Sequence, residues 1–478
     1  MSAPESPDRG TTTIVWFRDD LRVTDHPALQ AACRRGAVVA LYVLDEVSEG
    51  VRPLGAAARW WLHGSLTALG TSLAELGIPL VLRRGPARPV LGEVLERTGA
   101  GGVTWNRRYG GPERAVDAAV KQDCARRGVA AHSFHANLLH EPWTLRTGTG
   151  GPYKVYTPFW KALRTLEIRQ PLPAPTPGHG AGPVPAAAAG GEDLHDWDLL
   201  PDPEHAEGLA AAWTPGEAAA WQRLDDFLDG VAGYAEGHDR PDRDGTSRLS
   251  PHLRWGEISP FAVWDAAVRH RAQHGSTPGL EKFLAELGWR EFDWHLLHAH
   301  PDLHERHLRP RFDAFPWRGP QEAAGDLRAW QDGRTGLPLV DAGMRQMAST
   351  GWMHNRVRMV TASLLVKNLL VDWRAGEQWF WDRLVDADPA SGPANWQWVA
   401  GSGADASPFF RIFNPLTQGR RFDPEARYVR RWVPELAGEH GVDPHEPGLL
   451  GPSVGYPEPI VDLRASRQRA LDAYAATA

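Results

Sequence analysis

The feature that most constrains this chain is a change of hydrophobic period partway along it. Up to about residue 135, short apolar segments alternate with longer stretches whose apolar residues recur at helical spacing. The short segments are Thr13–Phe17, Val38–Leu44, Pro79–Arg83, Gly102–Asn106 and Ala130–His135, and the helical ones include Ala56–Leu76 and Pro112–Arg127. Strands separated by helices must cross over rather than pair as hairpins, so the pattern predicts a parallel, doubly wound α/β sheet. After about Pro203 strand patterns stop. Leu280–His298, Leu339–Leu370 and Glu377–Leu384 carry apolar residues at helical spacing, which predicts a helical bundle.

The segment between the two halves is different again. Gln170–Gly191 is rich in Pro, Ala and Gly and almost uncharged, as an extended linker is. Tyr153–Leu166, just before it, is apolar enough to be ordered against a domain. A chain of 478 residues is too long for one ordinary core. The expected organisation is an α/β domain over 11–140, a linker over 141–203 and an all-α domain over 204–478.

Composition removes several functions. Two cysteines, Cys33 and Cys124, can build neither a disulfide framework nor the thiolate ligands of an iron–sulfur cluster. No metal site is expected. The N-terminus MSAPESPDRG has no apolar signal core and no run reaches membrane-span length, so a cytoplasmic protein that does not engage the membrane is expected. The first strand is followed by Phe17-Arg18-Asp19-Asp20, not by GxGxxG, which argues against a standard dinucleotide site there. A net charge of −7 neither supports nor excludes nucleic acid, because phosphate recognition depends on local arginine patches. The 22 tryptophans against 8 tyrosines exceed what core packing usually asks for.

Four constellations carry chemistry-bearing residues. On a helix, Trp352, Asn355, Arg356 and Met359 would share one face; the plain alternative is an exposed helix edge. Glu286 and Arg290 stand at i,i+4 beside Trp289, either as a surface ion pair or as a carboxylate and a flat ring that grip a planar ligand. The loop Gly245–Pro251 offers hydroxyls and backbone N–H groups at an expected helix start, suited to a diphosphate, with N-capping by Ser250 explaining part of it. Asp386 and Asp388 precede Asn395-Trp396-Gln397-Trp398, where they could answer a heteroaromatic N–H edge or merely solvate a turn.

Read in order, IVWFRDDLR, TSRLSPHLRWGEISP, FLAELGWREF, GLPLVDAGMRQMASTGWMHNRVRM, LLVKNLLVDWR, NWQWVAGSGADASPFFRIFNP and QGRRFDP closely resemble the photolyase/cryptochrome family. The resemblance spans nearly the whole chain and implies an FAD-binding helical domain behind an α/β domain. It implies a cofactor site of Tyr234, Thr246, Ser247, Arg248, Leu249, Ser250, Phe283, Arg290, Trp352, Asn355, Arg358, Asp386, Asp388 and Gly392. Arg358 and Asp386 would pair beside the flavin, and Asp388 would bind its ring edge. Trp396, Trp373 and Trp317 look like an electron relay, with Trp330 competing for the last place.

The resemblance also implies a substrate. Glu286, Trp289, Asn355, Met359 and Trp398 resemble the lesion pocket of enzymes that split cyclobutane pyrimidine dimers, with Arg240, Arg356 and Arg411 on the DNA phosphates. The expected branch is class I: His354-Asn355 stands where (6-4) repair branches have a His pair, and no long tail follows Tyr474. The expected activity is light-driven repair of UV-damaged DNA by a monomer, a carbon–carbon lyase reaction. The alternatives are a blue-light photoreceptor without repair and a plain flavin electron carrier. Two departures stand out. Gly392 occupies the position opposite flavin N5 where photolyases usually have Asn, and Gly110 stands where folate-binding members often have Glu, leaving a second chromophore, folate or deazaflavin, open.

Overall fold

The structure is a computed structural model and describes residues 12–182, 186, 188–406, 410–438 and 441–477. Its first domain is a five-stranded, all-parallel sheet: β1 (Thr13–Phe17), β2 (Val38–Leu44), β3 (Leu80–Arg84), β4 (Gly102–Asn106) and β5 (Ala130–Phe134), in the order β3-β2-β1-β4-β5. The strands fall within a residue or so of their expected bounds. β1, β2 and β4 are buried along their whole length because helices cover both faces, so their apolar runs are continuous rather than alternating. β1 lies between β2 and β4, pairing Thr13 with Val38 on one side and with Gly102 on the other. The chain winds one way from β1 and the other way from β4, so the switch point lies between them.

The linker does not hang free. A short helix, Tyr156–Leu163, lies along the long Pro278–Ala299 helix, so the apolar Tyr153–Leu166 stretch is ordered as expected. Further on, the extended chain hydrogen-bonds to the α/β domain: Val38 N donates to Gly180 O and Glu192 N to Leu82 O. The remaining described chain, from the helix Pro203–Ala212 to Leu463–Ala475, contains helices and no strand.

Two of the helical expectations need correction. Leu339–Leu370 is not one helix but Pro338–Thr350 and Asn355–Ser363, followed by a π-turn at Leu364–Asn368. The break falls at Gly351, whose left-handed φ of 65° ends the first helix. Trp352 therefore precedes the second helix and does not share its face. The second correction concerns Ser250. It opens the short helix Ser250–Arg254 without capping it, because its hydroxyl donates to Asp386 Oδ2 at 2.7 Å.

The domains are joined by buried polar contacts. Arg52, before the Ala56–Glu75 helix, grips both oxygens of Glu377 at 2.7 and 2.8 Å and lies 4.0 Å from the Trp381 ring centre. Glu257, fully buried, accepts from Trp61 Nε1 at 3.1 Å and Gly216 N at 2.7 Å, and meets Ser65 and His252. Gly256 has a φ of 63°, and a Cβ there would run into the backbone of Asp19 and Asp20, so only glycine allows this approach. Among the described residues no helix is long and apolar enough to cross a membrane, and no cluster of His, Cys, Asp and Glu is placed to hold a metal.

Candidate active site

The site is built where three helices meet. Pro278–Ala299 carries Phe283, Glu286, Trp289 and Arg290; Asn355–Ser363 carries Asn355, Arg356, Arg358 and Met359; Ser391–Ala400, which packs against both, carries Gly392, Trp396 and Trp398. Glu286, Trp289, Met359 and Trp398 are each half-buried and Asn355 is exposed, whereas Phe283, Leu284, Leu287, Val357, Val360, Trp396 and Val399 beside them are buried. Five side chains, a carboxylate, an amide, a thioether and two indoles, thus keep accessible surface at the meeting of otherwise closed helices.

Each helix has a local reason to present these groups. His354 caps Asn355–Ser363, its Nδ1 accepting from Arg356 N at 3.1 Å. Burial pushes the His354 imidazole down to about 4, so it stays neutral and able to accept. Gly288 has no Cβ to push Tyr156 and Trp160 away, and Tyr156 stacks face to face on Trp289 at 3.7 Å. That stack fixes the plane of the half-buried indole. Gly376 does the same for Trp396, whose ring occupies the space a Cβ would need.

The expected ion pair is present: Arg358 Nη2 lies 3.0 and 2.9 Å from the two oxygens of Asp386. Asp386 also receives the Ser250 hydroxyl, so the hydroxyl loop and the ion pair are one unit. Asp388 spends Oδ1 on the N–H groups of Ala390 and Ser391 at 2.8 and 2.7 Å. Its Oδ2 meets no protein donor among the described residues, which leaves an acceptor for a ring N–H. Phe283 and Tyr234, both buried, form an aromatic wall with Phe227, Tyr234 meeting each phenylalanine edge to face. Arg248 adopts a φ of 49° and lies over Trp352, 5.3 Å from the ring centre. A flat, anionic, N–H-bearing group such as FAD fits hydroxyls, a free carboxylate oxygen and aromatic walls of this kind.

Several expected partnerships rearrange. Glu286 pairs with Lys282 at 2.6 Å and not with Arg290. Arg290 instead donates to Asn137 O at 3.1 Å and approaches Glu291 at 3.4 Å, reaching the chain that follows β5. Arg356 and Arg240 are held by Asp239 and Asp242, at 2.7 and 2.6 Å respectively. Arg411 is exposed and meets no carboxylate among the described residues. Gly392 faces Glu377, whose Oε1 would lie 3.7 Å from an added Cβ. Trp396 and Trp373 are buried, and Trp317 is half-buried. His307 bridges Trp373 and Trp317, with ring centres 6.1 and 6.4 Å away. Trp330 is fully buried and touches Trp396 edge to face at 6.2 Å, so it lies beside the tryptophan expected to come first in the relay.

Sequence reasoning missed Asp293. It is buried one turn beyond Trp289, and it accepts from Asn395 Nδ2 at 3.2 Å. Burial raises its carboxyl well above the usual range. Its spacing of four from Trp289 and seven from Glu286 was the available signal. His307 was missed as well, because nothing local ties it to tryptophans far along the chain.

Comparisons with known proteins bear on the family and the fold. Residues 13–177 match the family model described as DNA photolyase, and residues 283–476 the model described as the FAD binding domain of DNA photolyase. A deoxyribodipyrimidine photo-lyase from Agrobacterium fabrum is 50% identical over 475 residues, covering 97% of each chain. Cryptochrome-1 of Arabidopsis thaliana is 37% identical over 97% of this chain and 70% of its own length. The crystal structure of a bacterial class III photolyase from Agrobacterium tumefaciens superposes with a TM-score of 0.91 at 48% identity, covering all of this chain and 99% of that one. The class I expectation is corrected by this match, since the full-length likeness is to class III. The chain belongs to the DNA photolyase/cryptochrome family.

Proposed function

We propose that this chain is a photolyase of the class III type that splits cyclobutane pyrimidine dimers in UV-damaged DNA under blue light. The observation that carries the reading is the set of five accessible side chains, Glu286, Trp289, Asn355, Met359 and Trp398, on three helices, Ser391–Ala400 packing against the other two, beside the Arg358–Asp386 pair. The similar photo-lyase at 50% identity supports it.

FAD, when bound in its reduced form, supplies the photoexcited electron that opens the cyclobutane ring. The protein's own residues do the rest. Tyr234, Thr246, Ser247, Leu249 and Ser250 would hold the diphosphate, and Asp388 Oδ2 would accept a ring N–H. Trp289 and Trp398 would receive the flipped-out bases on apolar faces, which offsets part of the few kcal/mol that flipping costs. Asn355 and Glu286 would hydrogen-bond the base edges, Glu286 after leaving Lys282. Arg356, Arg240 and Arg411 would hold the flanking phosphates. The protein is proposed to work as a cytoplasmic monomer.

The switch point between β1 and β4 supports a second chromophore, folate or deazaflavin. Arg18 is 4% exposed there, and among the described residues its Nε and Nη1, Trp16 Nε1 and Arg108 Nε meet no hydrogen-bond partner. The Glu113 carboxylate fills the space beside Gly110, supplying an acid where the main-chain position has none.

The test is to illuminate purified, reduced protein with dimer-containing DNA and follow loss of the dimer. Blue-light-dependent loss is expected; its absence would overturn the enzyme reading in favour of a photoreceptor.

A further inference from the structure

Lys367 is 1% exposed, and no carboxylate lies within ion-pair distance of it among the described residues. It sits in the π-turn Leu364–Asn368, where Nζ donates to Arg411 O at 3.1 Å and faces the Phe410 ring, 3.5 Å from its centre. An ammonium has three N–H groups, so among the described residues two of them meet no hydrogen-bond acceptor. Above it lies a pocket also lined by Arg309, Trp398, Gly401, Phe410, Arg411 and Tyr474. Every charged residue in that lining is a cation.

The surrounding elements do not neutralise it. Arg309 donates to Gly401 O and Ala406 O. On the C-terminal helix, Tyr474 accepts from Arg311 and Arg469 donates to Asn368 O. Within the turn, Asn368 donates to Ser466. Chains rarely bury a lysine beside arginines alone, because desolvating unpaired charge is costly. Burial accordingly pushes Lys367 down to about 7. The missing counter-charge has an obvious chemical class, an anion, and Trp398 places the pocket at the edge of the proposed lesion site.

We propose that this pocket takes a phosphodiester group of the DNA strand passing Trp398, and that docking it is coupled to proton uptake on Lys367. This rests on the reading that the chain binds damaged DNA. Arg411, exposed and without a carboxylate partner among the described residues, makes the contact. Lys367 is a positioning residue: it holds the Arg411 carbonyl from below and adds charge when protonated. A nearby anion favours the protonated amine, so the bound state holds the proton to higher pH than the free state. Affinity is then flat below the free protein's transition and falls as pH rises above it, approaching about tenfold per pH unit for one fully coupled proton.

The experiment titrates the FAD-loaded full chain with dimer-containing and undamaged duplexes between about pH 6 and pH 9, with calorimetry in two buffers of different ionisation enthalpy. Proton uptake on binding is expected above neutrality. Lys367→Arg, which keeps the charge without titrating, should retain affinity and lose the pH dependence. Lys367→Met should lose both and lower the log–log salt slope by about 1. A pH-flat wild type, or variants that keep the wild-type pH slope, overturns the proposal. The wild-type calorimetry decides by itself where a variant does not fold. Inorganic phosphate that elicits the same uptake without competing with DNA marks a free-anion site and overturns it too. Dimer discrimination without proton uptake sinks the pocket alone. Proton uptake without discrimination sinks the repair reading and leaves a phosphodiester pocket.

Discussion

Arg356 is held between an acid and a ring: its Nη2 lies 2.7 Å from Asp239 Oδ1, and its guanidinium carbon lies 4.4 Å from the centre of Phe422. The arginine proposed to clamp a DNA phosphate is therefore pre-oriented but already paired, and a phosphate must compete with Asp239 for it. Asp239→Asn removes the competing charge and keeps the side-chain shape. Releasing a half-exposed pair of this kind is worth about 1 kcal/mol, so DNA should bind roughly fivefold tighter at low salt. Filter binding or anisotropy with a dimer-containing duplex checks this. Unchanged or weaker binding would show that Asp239 serves to aim Arg356 rather than to mask it.

The relay prediction separates Trp317 from Trp330. Trp317 keeps accessible surface and is joined to Trp373 through His307, whereas Trp330 is sealed beside Trp396 with its Nε1 bonded to Thr361 O at 3.0 Å. Trp396→Phe should abolish photoreduction of the flavin by an external reductant, and Trp317→Phe should remove most of it. Trp330→Phe should leave most of it. Chemically reduced Trp396→Phe protein should still repair. Loss of photoreduction in Trp330→Phe alone would exchange the two assignments.

Gly392 can be tested by addition. A Cβ there meets only Glu377 Oε1 at 3.7 Å, ordinary contact, so Gly392→Asn should fold normally. Its amide would sit near a carboxylate that Arg52 already holds by both oxygens. One new neutral hydrogen bond at the flavin edge is worth about 1 kcal/mol, on the order of 40 mV for one electron. Spectroelectrochemistry should therefore show a changed midpoint potential in Gly392→Asn. An unchanged potential would mean that position 392 does not face the redox-active edge.

The His354 cap makes acid sensitivity local. Its folded-state value is pushed down to about 4 by burial, below the ordinary imidazole range. For a base with a depressed value, the unfolded chain binds the proton first as pH falls. The stability it contributes is present above about pH 6.5 and is lost as pH falls through about 4. Protection of the Asn355–Ser363 amides, taken relative to their intrinsic exchange at each pH, should fall over that window in the wild type. His354→Asn keeps a capping acceptor that does not titrate, so its helix should show no such window; equal acid sensitivity would place the trigger elsewhere.

What the sequence by itself determined was whatever depends on local periodicity and short-range geometry. The five strands follow from apolar runs bounded by turns, and the helices from apolar residues at helical spacing, as over Leu280–His298. The ordered motifs carried the family because each is contiguous. The tertiary structure decided partnerships. Glu286 and Arg290 are a proper i,i+4 pair on paper, but Lys282 offers Glu286 an equivalent spacing and Asn137 draws Arg290 toward the chain after β5. Spacing along a helix says which groups can meet; which of them do depends on what packs alongside. The same holds for His307 between two tryptophans, for Asp239 on Arg356, and for Lys367 beneath Arg411. Each joins residues distant in sequence, where electrostatics and burial act through space and leave no periodic trace in the chain.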